Sequence, residues 1–172
     1  VIDESTWSDK GLRSHRPLVM SMSLSAAAEN RPVVDGRGLY SIGLEIEGRD
    51  SAVSVTGLVF SDWFYSGIDT EGILTLTDSV IDGGLSGVVI DGGRGDVTGT
   101  LVRNTVIFGV EIINDGHAAI SQSEITHSGA AGILVAEGSA TIHQSRLSRN
   151  DHGLVVTNDA VATIRDSELS GN

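Results

Sequence analysis

Gly-Leu-Glu-Ile at 43–46, Gly-Ile-Asp-Thr at 67–70, Gly-Val-Val-Ile at 87–90, Gly-Val-Glu-Ile at 109–112, Gly-Ile-Leu-Val at 132–135 and Gly-Leu-Val-Val at 153–156 are six versions of one pattern. It reads glycine, apolar, any residue, then apolar or threonine. The spacings of 24, 20, 22, 23 and 21 residues average 22, too short for the common helical repeats, which run to about 33 residues or more. Alternation has a period of two in a strand, so the first and third residues after each glycine share a face. Eleven of those twelve residues are apolar and most are β-branched, the composition of a buried strand.

A second series lies inside each repeat. An apolar residue is followed three later by a small polar one and two further on by another apolar residue: Leu76-Ser79-Ile81, Leu101-Asn104-Val106, Ile120-Ser123-Ile125, Ile142-Ser145-Leu147 and Ile164-Ser167-Leu169. In the first repeat Val55, Leu58 and Phe60 hold the same frame. A serine or asparagine between two inward residues belongs at an interior corner, where its side chain bonds neighbouring backbone groups. Each repeat is therefore three short strands joined by turns, and the repeats stack coil on coil.

These glycine-led strands, the polar corner series and Arg-Pro-Val-Val-Asp-Gly-Arg-Gly at 31–38 resemble the right-handed parallel β-helix superfamily, the pectate-lyase-like fold with short repeats of the periplasmic NosD kind. The resemblance implies an all-β solenoid of six to seven coils over residues 18–172, with residues 1–17 as an N-terminal arm or linker. Leu18–Leu24 alternates apolar and polar and reads as a partial first coil. No amphipathic segment follows the last coil, so the expectation is a chain truncated from a longer protein, or one that associates end to end through its uncovered coil.

Composition excludes several classes. Eleven basic against 23 acidic residues leave a net charge of −12, which repels nucleic acid and anionic membrane surfaces. No uninterrupted apolar stretch is long enough for a transmembrane helix, so membrane insertion is not expected. There is no cysteine, hence no disulfide framework and no thiolate metal site. His117, His127, His143 and His152 fall in different registers and share no metal-ligand spacing. The compartment that the resemblance implies is secreted, periplasmic or cell-surface.

Two features face outward. The second and fourth residues after each glycine place Glu45, Glu47, Asp69, Glu71, Asp91 and Glu111 on the first four coils, an acidic stripe on one sheet. Coils repeat at about 4.8 Å and alternate residues at about 6.8 Å. Such crowding raises carboxylate pKa values or recruits a cation. Glu47, Glu71 and Asp91 are the candidates for calcium, which takes oxygen ligands only. Asp69, Glu71, Asp91 and Glu111 are the candidates for catalysis, because polysaccharide-processing members of the superfamily carry their catalytic groups on this sheet. The second feature is Asp62-Trp63-Phe64-Tyr65, three of the chain's seven aromatic residues in one turn. Aromatic faces beside acids suit sugar rings, so Trp63, Tyr65, Glu45 and Arg94 are the expected substrate contacts.

The catalytic motifs of the related enzymes are missing. There is no Asn-Thr-Asp, Gly-His-Gly or Arg-Ile-Lys set of polygalacturonases and no Asp-Pro-His-Asp of alginate epimerases. Three functions stay open: a non-catalytic module serving as rigid spacer or glycan-binding surface, a polysaccharide lyase or glycosidase working from the acidic stripe, and a self-associating structural solenoid. The first is the leading expectation.

Overall fold

A computed structural model describes residues 12–13, 21–25 and 31–172. The described residues are all strand and turn, arranged as three parallel sheets of seven strands each. The glycine-led sheet contains Leu12–Arg13, Ile42–Ile46, Ser66–Thr70, Ser86–Asp91, Phe108–Ile113, Ala131–Ala136 and His152–Thr157. The second runs from Ser21–Ser25 through Ala52–Thr56 and Ile73–Thr77 to Val161–Arg165, and the third from Val33–Asp35 to Glu168–Ser170. The chain visits the three sheets in turn, and each strand pairs with its counterpart one coil away. Leu12 and Arg13, within the stretch expected to be an arm, pair with Leu44 and Glu45 and so belong to the stack. The rest of residues 1–17 lies outside the described residues, as do Leu18–Met20 of the expected partial coil; Ser21–Ser25 of that coil pairs with Ala52–Thr56.

The core is the set of ladders the periodicity implies. Leu44, Ile46, Ile68, Thr70, Val88, Ile90, Val110, Ile112, Ile133 and Val135 are all buried. The one polar member, Thr70, is satisfied locally: its Oγ1 accepts the Gly72 N–H at 3.1 Å. In the last coil the inward positions are less covered, and Val156, Ile164 and Leu169 are exposed.

The repeated glycine is needed for space. None of the six has a positive φ. A Cβ at Gly109 would meet Ile125 Cγ2 and would stand 2.6 Å from the Gly132 carbonyl oxygen; one at Gly132 would stand 2.7 Å from Asn150 Nδ2 and 2.8 Å from the Gly153 oxygen. At each of these positions the chain bends into the strand, so the glycine and the residue after it both face inward. Only hydrogen fits between one coil and the next.

The polar corner series forms an internal ladder, with one correction. Ser79, Thr100, Ser123, Ser145 and Ser167 are its members. Each donates its hydroxyl to the carbonyl two residues back, at 2.8 to 3.1 Å. Each also accepts a backbone N–H from the preceding coil: Leu58, Ser79, Thr100, Ser123 and Ser145 in order. Asn104 is not a member. The true third-coil frame is Val97-Thr100-Val102, with Val97 and Val102 fully buried, while Asn104 and Val106 are exposed. Leu101-Asn104-Val106 copies the frame four residues late, but Leu101 pairs with Val80 in the outward register and Val102 with Ile81 in the inward one. Ser123→Ala would leave the buried Thr100 N–H without an acceptor, an expected loss of about 1–3 kcal/mol in urea unfolding. Ser123→Thr should fold almost normally, because Thr100 already serves in the ladder.

A second ladder sits at the corner before the glycine-led sheet. Asn150 Oδ1 accepts the Ser128 N–H at 3.0 Å, and Asn172 Oδ1 accepts the Asn150 N–H at 3.1 Å. Their amide nitrogens donate to the carbonyls of Ile125 and Leu147. The corners themselves need left-handed residues, and most are not glycine: Asp62, Asn104, His127 and Arg149 take φ between 56 and 58° after third-sheet strands.

Candidate functional site: an acidic groove beside an aromatic ridge

The outer side of the glycine-led sheet carries the acidic stripe. Glu45, Asp69, Val89, Glu111, Leu134 and Val155 stand opposite one another in register across consecutive coils. Glu45, Glu47, Asp69, Glu71 and Asp91 line a groove of about 290 Å³ on the first three coils. Glu111 lies one coil beyond, where its Oε2 accepts the Ser86 hydroxyl at 2.7 Å. The stripe is broken at Val89, which is buried. Of the four catalytic candidates, then, Asp69, Glu71 and Asp91 share the groove and Glu111 acts on it from outside.

Asp69 is the centre of this charge. Burial is the main cause that pushes its carboxyl up to about 6, and the charges of Asp91, Glu45, Glu111 and Glu71 raise it further. A carboxyl raised above its unfolded value, 3.8, weakens the fold once it ionises. The cost is fully present above pH 6 and is relieved as the pH falls through 6 toward 4. Asp69→Asn is therefore expected to stabilise the protein at pH 7.5, by on the order of 1 kcal/mol after solvent screening at this partly exposed position. At pH 4 the gain should vanish. Urea unfolding at the two pH values checks the sign.

The calcium candidates are neighbours in the groove but do not converge. Glu71 Oε2 accepts the Gly48 N–H, one coil back, at 3.3 Å, whereas Asp91 Oδ1 accepts the Asn114 amide, one coil forward, at 2.6 Å. The two carboxylates lean in opposite directions along the axis. Among the described residues no group of three or more His, Cys, Asp or Glu is placed to hold a metal ion.

Two of the expected substrate contacts stand elsewhere. Arg94 begins a strand of the second sheet, in register with Ile73 and His117, and its guanidinium pairs with Asp96 at 3.5 Å. Arg49 does reach the rim of this sheet, its Nη2 3.1 Å from where a Cβ at Gly92 would stand, next to Asp91, and Arg13 lies in register with Glu45 on the preceding strand. Trp63 is a core residue, only 7% exposed. Its indole covers Gly36 and Gly43, where a Cβ would stand 2.8 Å from the ring, and its Nε1–H has no partner.

The exposed aromatics are its neighbours. Phe64 is 63% exposed and Tyr65 50%. The Phe64 N–H donates to the Tyr40 carbonyl at 2.9 Å and the Tyr65 N–H to that of Ser41 at 2.8 Å. This brings the exposed Leu39 and Tyr40 alongside, on the preceding coil, and makes a ridge at the corner that opens into the Asp69 strand. These three residues precede the Ser66–Thr70 strand, so alternation does not order them, and packing alone turns Trp63 inward and leaves Phe64 and Tyr65 outside. Tyr40 lies in an enlarged first corner outside any repeat frame, so no sequence spacing points to it.

The model of a right-handed β-helix region matches residues 86–172, half of the chain. No curated protein and no solved structure matches. The matched half holds the four most regular coils, and the same three-sheet register continues through the coils before it. The chain belongs to the right-handed β-helix family.

Proposed function

We propose that this chain is a rigid β-helix binding module whose ligand is a polysaccharide, held on the Tyr40–Phe64–Tyr65 ridge beside the acidic groove. The supporting observation is the exposure of three aromatic side chains on adjacent coils of an otherwise aromatic-poor protein. Sugar rings stack their apolar faces on such surfaces while their hydroxyls bond neighbouring carboxylates. The stack supplies rigidity, because every coil is tied to the next by three strand pairs, so little ordering is needed on binding. A secreted, periplasmic or cell-surface location fits such a ligand.

Affinity electrophoresis through gels containing neutral, acidic and amino polysaccharides tests the reading. At least one polymer should retard the protein, and the Phe64→Ala/Tyr65→Ala double variant should lose that retardation by a factor of ten or more with its unfolding midpoint nearly unchanged. Retardation by none of the polymers, or equal retardation of the double variant, would sink the proposal.

A second reading rests on Asp69. A carboxyl pushed up to about 6 by burial and neighbouring carboxylates has the character of a general acid for glycoside cleavage. That reading requires new reducing ends from the retarding polymer, lost in Asp69→Asn while binding is kept. Binding without turnover leaves the module reading alone.

A further inference from the structure

We infer that the corner between the third sheet and the glycine-led sheet binds one buried water molecule, held between Thr105 and Ser128. The inference stands apart from the glycan reading. Trp63, Gly84, Thr105, Ser128, Asn150 and Asn172 occupy this corner in successive coils, each directly after a left-handed residue. At Asn150 and Asn172 the side-chain amide closes the corner by itself. Asn150 Oδ1 takes the Ser128 N–H and its Nδ2–H goes to the Ile125 carbonyl; Asn172 serves the Asn150 N–H and the Leu147 carbonyl in the same way.

One coil earlier this arrangement stops. Ser128 stands in the same place, its Oγ 3.0 Å from where a Cβ at Gly109 would be, as Asn150 Nδ2 stands 2.7 Å from one at Gly132. The Ser128 hydroxyl has no partner in the chain, and neither has that of Thr105. Both residues are only 3% exposed, so bulk solvent does not serve them. Buried hydroxyls in native proteins are paired with protein or with ordered water.

Space and chemistry point to the same occupant. Asparagine is longer than serine by two heavy atoms, so a corner that takes an amide at Asn150 has, at Ser128, close to the room of one water. The backbone groups around it are those that the Asn150 amide serves, one coil back. Gly129 N–H bonds to the Thr105 carbonyl as Asp151 N–H bonds to that of Ser128, which puts the Thr105 N–H where the Ser128 N–H stands. Val102 pairs in register with Ile125, so its carbonyl stands where the Ile125 carbonyl does. Residues on adjacent coils lie about 4.8 Å apart, a gap that one water with two bonds of about 2.8 Å spans. The occupant has to accept from an N–H and donate to a carbonyl. A cation does not accept and an anion does not donate; water does both, and two hydroxyls complete its shell.

A crystal structure at a resolution that shows ordered water tests the inference, together with urea unfolding of Ser128→Asn and Ser128→Ala. The water is expected within about 3.2 Å of the Thr105 nitrogen and of Ser128 Oγ. Ser128→Asn puts an amide in its place and should raise the unfolding midpoint by about 0.5 M, with the water gone from the variant's crystal. Ser128→Ala removes one of the water's partners and should lower the midpoint by a similar amount. A dry corner in the crystal overturns the inference. So does an unchanged or raised midpoint in Ser128→Ala, the result expected if the hydroxyl is unpaired. If Ser128→Asn does not fold, the crystal and the alanine variant still decide.

Discussion

Gly109→Ala is expected to destabilise the protein by about 3 kcal/mol or more, although the change adds a single methyl group. The new Cβ would collide with Ile125 Cγ2 and stand 2.6 Å from the Gly132 oxygen, and Ser128 Oγ would be 3.0 Å away. The first two belong to parts of the stack that cannot give separately. Ile125 is fully buried in the third sheet, and the Gly132 carbonyl is backbone of the next coil. Relief requires two coils to separate, which weakens every ladder hydrogen bond between them. Gly38→Ala is the comparison: nothing lies within 4 Å of its Cβ, but its φ of 64° is left-handed. Its expected cost is about 1 kcal/mol, from backbone strain alone. Urea unfolding of the two variants separates a space requirement from a conformational one.

Trp63→Ala should cost about 3–5 kcal/mol, because it empties the corner that the indole fills over Gly36 and Gly43. Trp63→Phe should cost far less, since it keeps part of the volume and removes an N–H that has no partner. Phe64→Ala and Tyr65→Ala, half or more exposed, should each change stability by less than about 1 kcal/mol. Loss of binding in Trp63→Ala would therefore report unfolding, whereas loss in the Phe64 and Tyr65 variants reports the surface. Thermal or urea unfolding of the four variants decides whether Trp63 belongs to the core.

The fold was legible because its cause is periodic. A strand that must bury two residues per coil and keep a hydrogen at the bend writes glycine, apolar, any, apolar into the sequence every 22 residues or so. The serine ladder was legible for the same reason, and it misled once. Leu101, Asn104 and Val106 imitate the frame because apolar and small polar residues also alternate on the outer side, and the register is fixed by backbone pairing four residues earlier. The corners were less legible. Left-handed conformations there are taken by Asp62, His127 and Arg149 as readily as by glycine, since the ladder on either side holds them in place.

The site was half legible. Alternation placed Glu45, Asp69, Glu71, Asp91 and Glu111 on one outer face, and the structure puts them there. It did not show that Glu71 and Asp91 turn away from each other, because that depends on the Gly48 and Asn114 groups one coil before and after. Arg94 was assigned to the stripe from chain proximity, yet one turn carries it onto a different sheet. Arg49, in the equivalent turn two residues after Glu47 and by the same reasoning within reach of the stripe, does lie beside Gly92 on that sheet.

The measurement that bears most directly on the central claim is backbone amide shift mapping by NMR during titration with the polymer that retards the protein most. The ridge reading predicts saturable shifts concentrated at Tyr40, Ser41, Phe64, Tyr65 and Ser66 and extending to Asp69 and Glu45. Shifts confined to the second and third sheets, or small unsaturable changes over the whole surface, would contradict it.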